Sequence, residues 1–278
     1  MRIGLATSAG FPELFSDDDG LVAALRALGA DPVPAVWDDP GVDWAAFDLT
    51  VVRSTWDYHE RRDAFVAWAR SVPRLANSAR VVEWNTDKTY LRDLPVPVVP
   101  TLWSPERLAD VPWDDVVVKP AVSAGARNTL RCARGSAEGE ALLAKIRENG
   151  VAMVQPYLPS VEDHGERSLL FVEGAFTHAV RRNPALSLEG ESRYDARLVD
   201  AAGDELALAR SVLDAAGEPL LYARVDVVRG PDGEALLIEL EVTEPQLFLR
   251  FAPHAAQALA AAVVARAGSA GSSTTSGS

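Results

Sequence analysis

The 278 residues suit one compact enzyme or a few small subdomains, and 48% of them are apolar, enough for a real core. A formal net charge of −13 leaves no basic stripe to neutralise a phosphate backbone, so nucleic acid is disfavoured as a partner. The single cysteine, Cys132, excludes an internal disulfide framework and a cysteine-based zinc site.

No apolar run is long enough for a membrane span, because the Ala-rich stretch at 255–267 is short and interrupted by Gln257 and Arg266. The expectation is a soluble, cytoplasmic protein with no membrane partner.

In chain order, residues 2–7 read as a strand, and Ser16-Asp17-Asp18-Asp19 caps a helix that stops at Gly29. Strands at 31–37 and 48–53 and a helix at 60–70 follow. This alternation predicts a parallel α/β domain over 1–84. Ligands in such sheets sit beyond the carboxyl ends of the strands, here loops 7–10 and 53–58. The first loop lacks G-x-G-x-x-G, which argues against a classical dinucleotide site.

Residues 85–157 read as a central segment with a small α+β lid. Asn85 caps a short helix carrying Lys88, and a strand at 115–120 ends in Lys119. A small-residue loop (121–129), a return strand, a helix at 137–148 and a strand at 151–157 complete it. Residues 158–267 read as an antiparallel C-terminal domain. A hairpin turning at Glu173-Gly174 sets Glu166 opposite Arg181. Residues 183–199 have weak periodicity and read as a loop, 200–217 as a helix, and Pro253 opens a last helix to about 267. The tail, 268–278, is low in complexity and reads as disordered. His59, His164, His178 and His254 show no metal-ligand spacing.

The richest stretch is 221–248, two apolar runs around Pro231-Asp232-Gly233. With a two-residue Asp232-Gly233 loop, Asp226 lies opposite Glu239 and Arg224 opposite Glu241. The other face carries Val225, Val227, Ile238 and Leu240. Opposed like charges destabilise a sheet, and a divalent cation with oxygen ligands would compensate. A solvated face partly neutralised by Arg224 is the alternative on the hairpin alone. A three-residue loop would slip the register by one and part Asp226 from Glu239.

Taken together, the chain offers Lys88, Lys119, a small-residue loop, Gln155-Pro-Tyr157, Glu162, Ala223-Arg-Val-Asp226 and Ile238-Glu-Leu-Glu-Val-Thr-Glu-Pro245. In this order the sequence resembles the ATP-grasp superfamily of carboxylate–amine ligases over 77–248. The resemblance implies mixed α/β and α+β architecture: an N-terminal Rossmann-like pre-grasp domain, a small lid and a C-terminal antiparallel-sheet domain. It implies ATP and Mg²⁺ (one or two ions) as cofactors and a small amino-acid-like substrate. Dimers are common in the family, so a homodimer is compatible with it.

By the same resemblance, Asp226, Glu239 and Glu241 are metal ligands, although the better-known members have Asn where Glu241 stands. Arg224 contacts the transferred phosphoryl group or the acyl-phosphate. Arg181, with Arg167 and Arg182 as neighbours, reaches phosphate or substrate carboxylate, or else one of them simply pairs with Glu166. Lys88 and Lys119 approach the phosphates, and a loop with Ser123 and Gly125 covers them. Gln155, Tyr157 and Leu158 form the adenine-binding hinge. Glu162 either binds ribose or is a surface acid.

A narrower resemblance joins Val52-Arg-Ser-Thr-Trp-Asp-Tyr58 and the E-L-E-x-x-E-P-x-L-F ending to the O-ureido-serine cyclo-ligases of cycloserine biosynthesis and their relatives. It implies that ATP activates a carboxylate and an internal nitrogen closes a ring. Arg53, Ser54, Asp57, Tyr58 and Arg193 are the substrate-side candidates. Arg53 meets a substrate carboxylate or forms an ion pair with Asp57 or Glu60; Trp56 and Tyr58 either wall the site or pack, with packing expected for Trp56. The competing readings are an intermolecular amide ligase of the glutathione synthetase type and a nucleotide-binding protein without turnover.

Overall fold

Three sheets, each built from a continuous part of the chain, appear in the computed structural model, which describes residues 1–182 and 196–271. The first comprises β1 (Arg2–Thr7), α1 (Asp19–Ala27), β2 (Asp31–Val36), β3 (Leu49–Val52), α2 (Arg62–Ser71) and β4 (Leu75–Ala76). Its strands are parallel in the order β2-β1-β3-β4. All of β3 and all but the first residue of β1 are buried, as expected of strands covered on both faces.

α3 (Ala79–Asn85) is capped by Ser78, whose side chain accepts from Val81 N–H. A 3₁₀ turn at Lys88–Arg92 follows, capped by Asp87 rather than by Asn85. The second sheet is antiparallel, formed by β5 (Leu102–Trp103), β6 (Asp115–Pro120), β7 (Leu130–Ala133) and, after α4 (Ala137–Asn149), β8 (Ala152–Pro156). Its order is β5-β8-β6-β7. Leu143 and Ile146 of α4 pack on Val116, Val118 and Val154.

α5 (Ser160–Asp163) leads into β9 (Glu166–Val172) and β10 (Ala175–Arg182). Then come β11 (Ala196–Val199), α6 (Gly203–Ala215), β12 (Tyr222–Arg229), β13 (Ala235–Glu241) and α7 (Pro253–Gly271). The five strands pair antiparallel in the order β11-β10-β9-β12-β13. One face of this sheet buries Leu169, Val225 and Leu240 with Leu208 and Val212 of α6. The other buries Leu170 and Tyr222 against Leu259 and Val263 of α7, in one core with Ile3, Leu5 and Val51 of the first sheet. α7 thus welds the last part of the chain to the first. It extends to Gly271, past the end the sequence suggested, and residues 272–278 of the expected disordered tail lie outside the described residues.

Each long hairpin contains one extra residue. In β9–β10 the turn is the expected one, with Glu173 and Gly174 both left-handed (φ +50° and +73°). The register then slips at Thr177, so Glu166 pairs with Arg182 and not with Arg181. In β12–β13 the turn is a three-residue loop closed by left-handed Gly233 (φ +82°), with Gly230 N–H donating to Glu234 O at 2.8 Å. Ile238 is the inserted residue here, and it restores the pairs Asp226–Glu239 and Arg224–Glu241. The expected pairing therefore exists, by a different turn and a compensating bulge. The bulge also moves Ile238 off the apolar face, where Leu237 takes its place in the core.

β13 is an edge strand, and upstream side chains cover its open backbone. The Tyr90 hydroxyl meets Leu240 O and N at 2.9 and 2.8 Å. Asn85 donates to Leu240 O at 2.7 Å and accepts from Val242 N–H at 3.0 Å. Asn77 bridges β12 and β13 by donating to Tyr222 O and Val242 O.

Candidate active site

The two antiparallel sheets and the loops after β1 and β3 line one cavity of about 520 Å³. β13 and the chain beyond it run along its length. Ile238 lies in an apolar slot with Tyr157, Val161, Val228, Val117 and Leu158. Glu239 meets Lys88 and Glu241 meets Arg224; Glu244, Phe11, Phe15 and Trp56 also line the cavity, and Trp56 Nε1 donates to Glu244 O.

Lys88 is buried, with Nζ 2.8 Å from Ser123 O and 3.2 Å from Glu239 Oε1. Lys119, at the end of β6, lines the same cavity, and burial pushes its pKa below the ordinary lysine value. Ser123 and Gly125 line it from the small-residue loop, and Gln155, Tyr157 and Leu158 from the hinge. Gln155 Nε2 is already committed to Thr101 Oγ1 at 2.9 Å.

Arg224 binds Asp226 through Nε at 3.0 Å and Nη2 at 2.9 Å, and also reaches Glu241. Ser168 Oγ donates to Asp226 at 2.6 Å, and Arg182 Nη2 contacts both Asp226 (2.8 Å) and Glu166 (2.9 Å). Burial alone would raise the Asp226 carboxyl, but Arg182 and Arg224 outweigh it and hold the pKa below the usual value. Burial pushes Glu241 up to about 7, with Glu239 and Asp226 adding to the rise against Arg224. Glu244 goes up to about 8, mainly by burial and then by Glu241. The carboxylates share the cavity, yet among the described residues no three acidic, His or Cys side chains are grouped as a metal site. Asp226 faces cations instead.

Other sequence candidates lie elsewhere. Arg181, on the opposite face of β10 from Arg182, donates to His164 O, Glu162 O and Asp163 O around α5. Glu162 accepts from the Tyr157 hydroxyl at 2.9 Å and pairs with Arg131 at 3.3 Å; it does not line the cavity. Arg53 is buried at 2% exposure against Asp18, its partner in place of Asp57 or Glu60, at 2.9 Å. The Ser54 hydroxyl accepts from Phe15 N–H, Asp57 accepts from Trp37 Nε1, and Tyr58 is core. None of these four residues lines the cavity. Arg193 lies outside the described residues. Trp56 packs, as expected, against Phe11 and Phe15 at 5.1 and 5.2 Å, but it also lines the cavity.

Sequence reasoning set Arg181 ahead of Arg182, which is the arginine that lines the cavity, and left Phe15 and Glu244 unassigned. The bulge that selects Arg182 has no signature in the sequence. Glu244 was visible in the Thr243-Glu244-Pro245 ending and went unassigned.

A family model, the N-terminal domain of D-cycloserine synthetase DcsG, matches residues 3–77. The cycloserine biosynthesis protein DcsG of Streptomyces lavendulae is 33% identical over 296 residues, covering 95% of this chain and 98% of that protein. The chain belongs to the DcsG family. It is an ATP-dependent C–N bond-forming ligase with the ATP-grasp fold. The crystal structure of D-cycloserine synthetase DcsG matches with a TM-score of 0.88 and 32% identity, covering 96% of this chain and all (100%) of that one. The ATP-grasp ligase PsnB, solved with its minimal precursor, Mg and ADP, shares the fold at 17% identity. Its TM-score is 0.61, with 96% of this chain and 98% of that one covered. In this DcsG-family member the Arg53–Tyr58 motif, which carried the narrower resemblance, lies at the junction of the first and third sheets.

Proposed function

We propose that the enzyme closes a ring within one amino-acid derivative, with an O-ureido-serine-like molecule as substrate. The substrate carboxylate attacks the γ-phosphate of ATP, giving an acyl-phosphate and ADP. A nitrogen of the same molecule then displaces phosphate. The observation that carries this reading is the linear order along β13: apolar slot, lysine pair, arginine–carboxylate cluster, aromatic end.

The slot around Ile238, Tyr157 and Val228 suits a flat adenine ring. Lys88 and Lys119 offset triphosphate charge beside it. Arg224 and Arg182 reach the point where charge develops on the transferred phosphoryl group, and both are pre-oriented by Asp226. Glu239 and Glu241 suit Mg²⁺, which commonly takes one or two carboxylates and completes its shell with phosphate oxygens and water. The elevated Glu241 pKa comes first from burial and then from the neighbouring Glu239 and Asp226, and a bound cation would offset both. Asp226 can join them only by sharing its oxygens with the two arginines. When bound, the ion supplies charge neutralisation at the phosphates. The protein's own contribution is position and exclusion of water.

Full-length identity to DcsG supports a ring-closing reaction over ligation of two molecules. The test is ADP release with O-ureido-serine as sole substrate and a cyclised product by mass, against a requirement for a second amine.

A further inference from the structure

The carboxylates of this cavity are not equivalent. Asp226 pairs with Arg224 and Arg182, Glu166 with Arg182, Glu239 with Lys88 and Glu241 with Arg224. Glu244 lines the cavity at 8% exposure and has no ion-pair partner among the described residues. A carboxylate so placed is costly unless a cation joins it.

The chain around Glu244 is held with unusual completeness. The Tyr222 hydroxyl lies 2.9 Å from Thr243 O, and Trp56 Nε1 donates to Glu244 O at 2.9 Å. Arg53 Nη2 donates to Pro245 O at 3.1 Å, and Arg224 Nη1 to Gln246 O at 3.2 Å. Four consecutive carbonyls are thus fixed by four side chains, two from the loop after β3. Such support suits a side chain whose position matters. Glu241, Lys88 and Glu239 act on Glu244 through charge, with Lys88 already committed to Glu239, and the cavity also carries Phe11, Phe15 and Trp56, in mutual edge contact, of which Trp56 holds Glu244 O. Aromatic rings beside a carboxylate favour an organic ammonium group, which draws on both ring quadrupole and charge. A hard divalent cation would instead call for more oxygen ligands.

We infer that Glu244 and the Phe11–Phe15–Trp56 wall form the subsite for the ammonium group of the substrate. This rests on the ligase reading above and deepens it. Arg53 is a positioning residue that acts through Pro245 O, and Trp56 both walls the subsite and holds Glu244 O. The substrate carboxylate then points back toward Arg224, whose Nη1 holds Gln246 of the same segment. The ammonium group takes no part in bond making and stays charged throughout.

The experiment is calorimetric titration of the enzyme, with ADP and Mg²⁺ present, using paired ligands. The pairs are O-ureido-serine and a set of common α-amino acids, each against its des-amino counterpart. The amino form is expected to bind wild type at least about tenfold more tightly, as for a hydrogen bond to a charged group. Glu244→Gln is expected to abolish that preference while leaving ADP–Mg²⁺ affinity within about twofold, since the proposal gives Glu244 no nucleotide contact.

The inference is overturned by absence of amine preference in every pair, or by preference surviving in Glu244→Gln. A loss of about tenfold in ADP–Mg²⁺ affinity in that variant would also overturn it, by marking Glu244 as a metal ligand. Should that variant fail to fold, Trp56→Phe serves: it keeps a ring and removes the N–H on Glu244 O. It is expected to raise KM for the amine-bearing substrate and not for ATP, and an unchanged amine preference contradicts the inference. A Glu244-dependent preference without ADP release would leave the subsite standing while the ligation reading fell.

Discussion

Arg182 sets Nη2 2.8 Å from Asp226 Oδ2, whereas its chain neighbour Arg181 turns to the carbonyls that close α5. One residue of register decides which guanidinium enters the cavity. Arg182→Ala is expected to cut kcat by about 10² to 10³, the usual cost of removing one preorganised donor from a developing charge. Arg181→Ala is expected to keep turnover within a few-fold and to lower Tm. Steady-state ADP release and thermal melts on the two variants check this.

The carboxylates of β13 carry separate expectations. Glu239→Gln should abolish ADP formation with the fold intact, because it removes charge from the residue that meets Lys88. Glu241→Asn keeps an oxygen toward the cavity and restores the residue commoner in the superfamily, so partial activity is expected. Coupled ADP assays, with circular dichroism as the control for folding, separate these outcomes. Near-normal rates in Glu239→Gln would remove the hairpin from the mechanism.

Asn85 stabilises the edge of β13 rather than capping a helix. Asn85→Ala leaves Val242 N–H without its partner in a buried place, while Leu240 O keeps the Tyr90 hydroxyl. The expected cost is about 1–3 kcal/mol, from one unsatisfied donor. Urea unfolding measures it, and a loss below about 0.5 kcal/mol would contradict the role.

His178 gives the protein a pH dependence of its own. It is 6% exposed in the β10 face under His254, and burial pulls its pKa down to about 4. The unfolded chain takes up the proton near 6.5 while the folded one resists until about 4. The contribution is therefore complete above the unfolded pKa and is lost as pH falls from 6.5 toward 4. Its size is roughly 2 kcal/mol once solvent screening is allowed for. Unfolding free energies at neutral and mildly acidic pH should converge in wild type and His178→Gln as the pH falls; parallel curves would contradict the assignment.

The charged residues that gather in the cavity were legible where their identity alone marked them. Lys88, Lys119, Arg224, Asp226, Glu239 and Glu241 all reach one cavity. So were the parallel N-terminal sheet implied by β/α alternation and the two hairpins, whereas β11 falls in a stretch that reads as a loop. What stayed hidden was geometry that depends on a single inserted residue. The bulge at Thr177 exchanged Arg181 for Arg182, and the bulge at Ile238 rescued a pairing that the actual turn would have broken. Backbone strain and packing of the whole sheet decide where a bulge falls, so no local motif announces it. Arg53 was misplaced for a related reason: a guanidinium at a strand's carboxyl end reads as a ligand-binding group, but Asp18, distant in sequence, reaches it first.

We propose that this DcsG-family ligase closes a ring in a single substrate. The decisive measurement is incubation with ATP, Mg²⁺ and O-ureido-serine alone, followed by ADP quantitation and mass spectrometry. ADP is expected to be released in step with a cyclised product, with no stimulation by added amines. ADP formation that requires a second amine, with an intermolecular amide as product, would contradict it.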